Sequence, residues 1–126
     1  MTPSQIITAD HSRFGHSQAD TARLMETMNA MIKKGVGHLL QHGDSLLFIT
    51  NLGQKSAELS FYTTDTPQKI KSSMAYFIKQ VKKSGFKKVY GEDGGPVLQK
   101  TLQLLKSLGV DVQKSDKPKF LWMAKV

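Results

Sequence analysis

The chain has 126 residues, with 18 Lys and Arg against 10 Asp and Glu, a formal net charge of +8 and no cysteine. That length suits one domain, 1–126, able to bury a core unaided, and the absent thiols exclude disulfides, thiolate metal sites and a cysteine nucleophile. Met1-Thr2-Pro3-Ser4-Gln5 does not begin a basic-then-apolar leader, and no window approaches the ~18 apolar residues of a membrane span, so a soluble protein is expected.

Residues 5–9 form a short β-like run, and 10–17, with His11, Gly15 and His16, read as a loop. From Gln18 a helical period begins: Leu24, Met28, Met31 and Ile32 share one face, while Arg23, Glu26 and Lys33 fall elsewhere. Gly35 and Gly37 stop this helix near Lys34. Its Met25, Met28 and Met31 stripe is read as core-facing in preference to an adaptable partner surface. Residues 38–42 fit either a last helical turn or a short strand. Then 45–51 and 56–63 are β-rich runs around Leu52-Gly53-Gln54-Lys55, the pattern of an antiparallel hairpin.

Pro67 suits the first turn of a helix capped by Thr66 or Asp65, and Ile70, Met74, Phe77, Ile78 and Val81 make its apolar stripe. Lys71, Lys79, Lys82 and Lys83 project from the other side. Gly85 ends the helix and 86–90 form a strand. A turn at Gly91-Glu92-Asp93-Gly94-Gly95 leads into a second helix with Pro96 at its first position. Val97, Leu98, Thr101, Leu102, Leu105 and Leu108 form its buried face, and Gly109 closes it. Residues 110–114 and 119–126 read as two strands around Ser115-Asp116-Lys117-Pro118.

Charge divides the chain at Thr66. Beyond it thirteen Lys and no Arg meet four carboxylates, a surplus of nine, whereas residues 1–65 carry five basic and six acidic groups. Such a surplus favours acidic partners through long-range attraction, although lysines without arginines suit diffuse attraction better than bidentate base reading.

The order hairpin, helix, strand, helix, strand pair over 45–126 resembles the C-terminal two-thirds of the GCN5-related N-acetyltransferase (GNAT) fold, with the N-terminal helix standing for its first helical layer. The resemblance implies an α+β, GNAT-like domain. Its mixed central sheet would have a mostly antiparallel N-terminal part, helices on both faces and a C-terminal strand hairpin. Active members carry Gln or Arg, two residues, Gly, one residue, then Gly or Ala before the central helix, where backbone N–H groups meet the coenzyme A pyrophosphate. The best match is Gln68-Lys69-Ile70-Lys71-Ser72-Ser73, with Lys71 and Ser73 in place of the small residues. At the end of the last helix, Leu104-Leu105-Lys106-Ser107-Leu108-Gly109-Val110 puts Leu105 where many members have a proton-donating Tyr. Leu98 replaces an Asn common near that helix's start. Together, 68–74 and 104–110 resemble the small GNAT-like virion proteins of short-tailed phages.

The resemblance implies a non-catalytic phage virion or assembly protein, in the virion or host cytoplasm, contacting other virion proteins without a cofactor. The alternative is an acetyl-CoA-dependent N-acetyltransferase with a degenerate cofactor loop. Gln68, Lys69, Lys71, Ser72 and Ser73 would then meet the coenzyme, and Tyr62, Tyr90 or Glu92 would supply the acid. A second alternative is a basic nucleic-acid-associated domain in which Lys79, Lys82 and Lys83 contact nucleic acid or an acidic partner. His38 and His42 lack the glutamate of the zincin spacing, Gly91, Gly94 and Gly95 fit neither dinucleotide nor P-loop spacing, and Ser72-Ser73 lacks a nucleophile elbow. No metal ligand and no catalytic residue is assigned for the non-catalytic reading.

Overall fold

A computed structural model describes residues 1–92 and 95–126, and the side chains among them except those of 95–98. Helix α1 spans Pro3–Arg13. Thr2 accepts from the Gln5 N–H while the Gln5 side chain accepts from the Thr2 N–H, and Pro3 occupies the first helical position. This corrects the β-like reading of 5–9 and the loop from Asp10. Ile6, Ile7 and Thr8 favour strand locally, but the reciprocal cap and the burial of both isoleucines against Leu46 and Phe48 decide for helix. A second reciprocal cap, Ser17 with Asp20, starts α2, Gln18–Lys33. Met28 is buried and Leu24, Met25 and Met31 pack beside it, whereas Ile32, expected on that face, is 41% exposed.

Residues 38–42 fall in strand β1, Gly37–His42. It pairs antiparallel with β2, Ser45–Gly53, through the two-residue turn Gly43-Asp44, with Gly43 at φ 59. β2 pairs antiparallel with β3, Ser56–Thr63, and the turn is Gln54-Lys55, both in the left-handed region at φ 53 and 60. That is the backbone of a type I′ hairpin, whose twist matches the strands.

Helix α3, Pro67–Lys83, buries Met74, Phe77, Ile78 and Val81 as its period requires. Strand β4 is Lys88–Gly91, later than expected, since the Lys87 N–H bonds the Lys55 carbonyl and Phe86 packs on the core. Helix α4, Gly95–Ser107, ends in a left-handed cap. Gly109 stands at φ 79, its N–H on the Lys106 carbonyl and the Val110 N–H on that of Leu105. Strands β5, Asp111–Lys114, and β6, Trp122–Lys125, are joined by 115–121, a longer connection than the four-residue turn expected. Of the expected turn and helix start, Asp93 and Gly94 and the side chains of Pro96, Val97 and Leu98 lie outside the described residues.

The six strands form one mixed sheet in the order β1-β2-β3-β4-β6-β5, antiparallel throughout except for the parallel pair β3–β4. Strand alternation divides the core. Leu47, Ile49, Ala57, Leu59, Val89, Trp122 and Ala124 meet α3 and α4 on one face. On the other, Leu46 and Phe48 meet α1 and α2, and Tyr90, Phe120 and Met123 cluster beyond them. The molecule is therefore α+β with helices on both faces.

Candidate functional site

The parallel pair is short. β3 pairs with β4 only at Ser56, Ala57 and Glu58, facing Lys88, Val89 and Tyr90, although β3 runs five residues further to Thr63. β4 ends one residue past Tyr90, at Gly91, and among the described residues no strand pairs with this edge of β3 from Leu59 to Thr63, which leaves a gap in the ladder there. The Thr63 N–H donates to the Asp10 carboxylate of α1 and so points into this gap, and by the two-residue period Phe61 and Leu59 direct their main chains the same way.

Helix α3 begins at the mouth of the gap. Its N-cap, Thr66, makes no side-chain cap bond, and the first intrahelical bond runs from the Ile70 N–H to the Thr66 carbonyl. Pro67 has no N–H, so those of Gln68 and Lys69 point out of the helix with the positive end of its dipole behind them. Lys69, Lys71 and Ser72 are exposed around this end. The matched segment 68–73 thus lies in the first turns of α3, not in the loop that precedes it.

Ser73 is 1% exposed and faces the sheet. Its hydroxyl donates to the His42 carbonyl at 3.2 Å, so His42 Nδ1–H, at 2.8 Å, donates to it. His42 also stacks on Tyr76, with ring centroids 4.9 Å apart. His42, Asp44, Asp65, Lys69, Ser72 and Ser73 line a pocket of about 320 Å³. The Asp65 carboxylate is turned toward the β1–β2 hairpin, accepting from the Asp44 N–H at 3.1 Å and the Ser45 hydroxyl at 2.8 Å. Thr63 Oγ1 in turn donates to Ser45 Oγ at 2.7 Å and accepts from the Asp65 N–H at 2.9 Å. This network fixes where β3 ends and α3 starts.

On the α1 side Asp10 is 7% exposed, with Arg13 Nη2 2.6 Å from its carboxylate. Burial raises its pKa above the ordinary value, against the opposing pull of Arg13 and the Thr63 N–H. Of the three candidate acids, Tyr62 is half-buried against the α1/α2 cluster and Glu92 is exposed just past β4. Tyr90 is 1% exposed and donates its hydroxyl proton to Asp116 at 3.0 Å, with Lys117 Nζ 4.8 Å from its ring centroid. Burial, and then the Asp116 carboxylate, push its phenol up, so that proton is held. Leu105 is in the core and offers none.

One element escaped the sequence reading. Any Cβ at Gly91 would overlap the indole of Trp122, its register partner across β4 and β6. Trp122 is 4% exposed, and its Nε1 has no hydrogen-bond partner among the described residues. A second hollow, of about 410 Å³, lies where α4 meets β5, lined by Leu102, Lys106, Val110, Asp111 and Val112. Lys79, Lys82 and Lys83 are exposed on α3, away from the gap. Among the described residues no group of three His, Asp or Glu is placed to hold a metal, and no helix is long and apolar enough to cross a membrane.

No protein-family model matches the chain, and no curated protein matches it. Solved structures do. The IAA acetyltransferase from Bacillus cereus ATCC 14579 superposes with a TM-score of 0.63 at 12% identity, over 99% of this chain and 93% of that one. A Bacillus subtilis acetyltransferase in complex with CoA gives 0.51 at 14% identity, over 79% and 80%. A domain from Methanocaldococcus jannaschii DSM 2661 gives 0.47 at 18% identity, and there the chain spans 62% of the other's length. The fold is GNAT-like.

Proposed function

We propose that this domain is an acetyl-CoA-dependent N-acetyltransferase, with coenzyme A held along the edge of β3 that β4 leaves unpaired. The observation that carries the reading is the β3 edge at Leu59 and Phe61, which meets no strand among the described residues and leads, past the Thr63 N–H held by Asp10, to a helix N-terminus without a side-chain cap. The outward N–H groups of Gln68 and Lys69, with the Lys69 and Lys71 ammonium groups, suit a pyrophosphate. The main-chain groups of Leu59 and Phe61 suit the two amides of a pantetheine arm, which would lie against β3 as an added strand. Acetyl-CoA would supply the acetyl group, and CoA would leave as the thiolate. Glu92, exposed where β4 ends, would take a proton from the acceptor amine, whereas Tyr90 is committed to Asp116. The three acetyltransferase-like features, fold, gap and helix end, favour this reading over the non-catalytic one. A virion or assembly role rests on the resemblance of 68–74 and 104–110 alone.

Calorimetric titration with acetyl-CoA is the test. Saturable binding is expected, weakened about tenfold in Lys69→Glu, which corresponds to roughly 1.4 kcal/mol. Absence of binding at millimolar ligand would overturn the reading.

A further inference from the structure

Trp122 stands where the gap closes. Its partner Gly91 follows Tyr90, the last residue of β4 paired with β3, so the indole covers β4 at the level where that pairing ends. Only a glycine at 91 lets the ring lie there. The ring belongs to the face covered by α3 and α4, and it brings a buried N–H that meets no acceptor among the described residues. An unpaired buried donor destabilises the fold, a penalty removed by an acceptor that arrives with a ligand.

The geometry of the arm says which acceptor. From pyrophosphate oxygen to sulfur, a pantetheine arm has as many bonds in line as four residues of backbone. Four residues of strand span roughly 13 Å, the distance along β3 from Thr63 to Leu59. An arm anchored at the start of α3 and lying on β3 therefore delivers its thioester to the closed end of the gap, level with Gly91 and Trp122.

We infer that the Trp122 indole N–H donates a hydrogen bond to the carbonyl oxygen of a bound acyl thioester, which makes it a catalytic residue. This rests on the acetyltransferase reading above. As the amine nitrogen bonds to the carbonyl carbon and gives its proton to Glu92, the C=O electron pair moves onto that oxygen and the donor strengthens. When the pair returns, the C–S bond breaks and sulfur leaves as thiolate. Trp122 holds its own proton throughout. Donors aimed at such an oxygen are worth about 10²–10³ in rate.

Trp122 is the only tryptophan, so a ¹⁵N-labelled sample shows a single indole N–H resonance. It is titrated separately with acetyl-CoA, with free CoA and with the S-ethyl thioether, which has no carbonyl. The inference expects the indole proton to move downfield with acetyl-CoA alone, while backbone amides near Gln68 and Lys69 respond to all three. Turnover in Trp122→Phe is expected to fall about 10²-fold in kcat with little change in KM. If all three ligands bind and the indole resonance stays put, or moves alike for each, this inference fails and the acetyltransferase reading survives. If no amide responds to any ligand, both fall together.

Discussion

Asp10 shows how one side chain can be held against its own solvation preference. Its carboxylate is buried between α1 and the end of β3, where desolvation penalises charge more than Arg13 and the Thr63 N–H reward it, so its folded pKa is raised above 3.8. The stability linked to this group is complete below that value and is lost as pH rises through the raised one. Asp10→Asn retains an acceptor for Thr63 without the charge. It is therefore expected to unfold at a higher temperature than the wild type at pH 7, with the gap closing toward pH 3.5. A variant less stable at pH 7 would mean that the Arg13 pair outweighs desolvation. Gly91 is required for a steric and not a conformational reason. Gly91→Ala forces the indole aside, at about 1–3 kcal/mol for overpacking, and should shift tryptophan emission to the red as the ring meets water. An unshifted spectrum with unchanged stability would contradict the contact. Neither site was legible in the sequence. Asp10 lacks a local partner pattern for catalysis, and Gly91 meets Trp122 across 30 intervening positions, so it read as one more turn glycine.

Elements were legible wherever a period and a stop signal agreed. The α3 stripe closed by Gly85, and the α4 stripe closed by Gly109, are patterns that local rules and the tertiary core both require. Helix α1 was hidden because β-branched Ile6, Ile7 and Thr8 pull toward strand, while the deciding contacts with Leu46 and Phe48 are about forty residues away. The coenzyme-loop match fell inside α3, and Pro67 carried the warning: with proline at the first helical position, Gln68 already belongs to the helix. The β2–β3 turn is a place where geometry and sequence disagree. Gln54 and Lys55 both stand at positive φ, where an L-residue costs roughly 1–2 kcal/mol and Asn-Gly is preferred. The double change Gln54→Asn, Lys55→Gly should stabilise the fold by about 1 kcal/mol, visible as a higher urea midpoint at unchanged m. The Lys55 carbonyl still receives the Lys87 N–H in that variant, so a loss of stability would point to a cost outside the turn.

For the whole molecule, charge acts apart from the fold. Thirteen lysines beyond Thr66 cannot all be matched by the four carboxylates there, and the pair that Lys88 makes with Asp116, at 4.0 Å with both side chains solvated, contributes little. Lys79, Lys82 and Lys83 lie exposed on the last turns of α3, beyond the buried stripe of Met74, Phe77, Ile78 and Val81. Their repulsion falls off over about 10 Å at 0.1 M salt and reaches about 30 Å at 0.01 M, comparable to the size of a domain this long. Raising NaCl from 10 to 200 mM is therefore expected to raise the thermal midpoint by screening a molecule of net charge +8. The triple reversal Lys79→Glu, Lys82→Glu, Lys83→Glu removes six units of charge and leaves the core untouched. It should bring the low-salt midpoint up toward the high-salt one and flatten the salt dependence. A low-salt midpoint that drops in the reversed variant would show that these lysines hold carboxylates in place, not that they repel one another, and the lysine-rich half would then be part of what stabilises the fold.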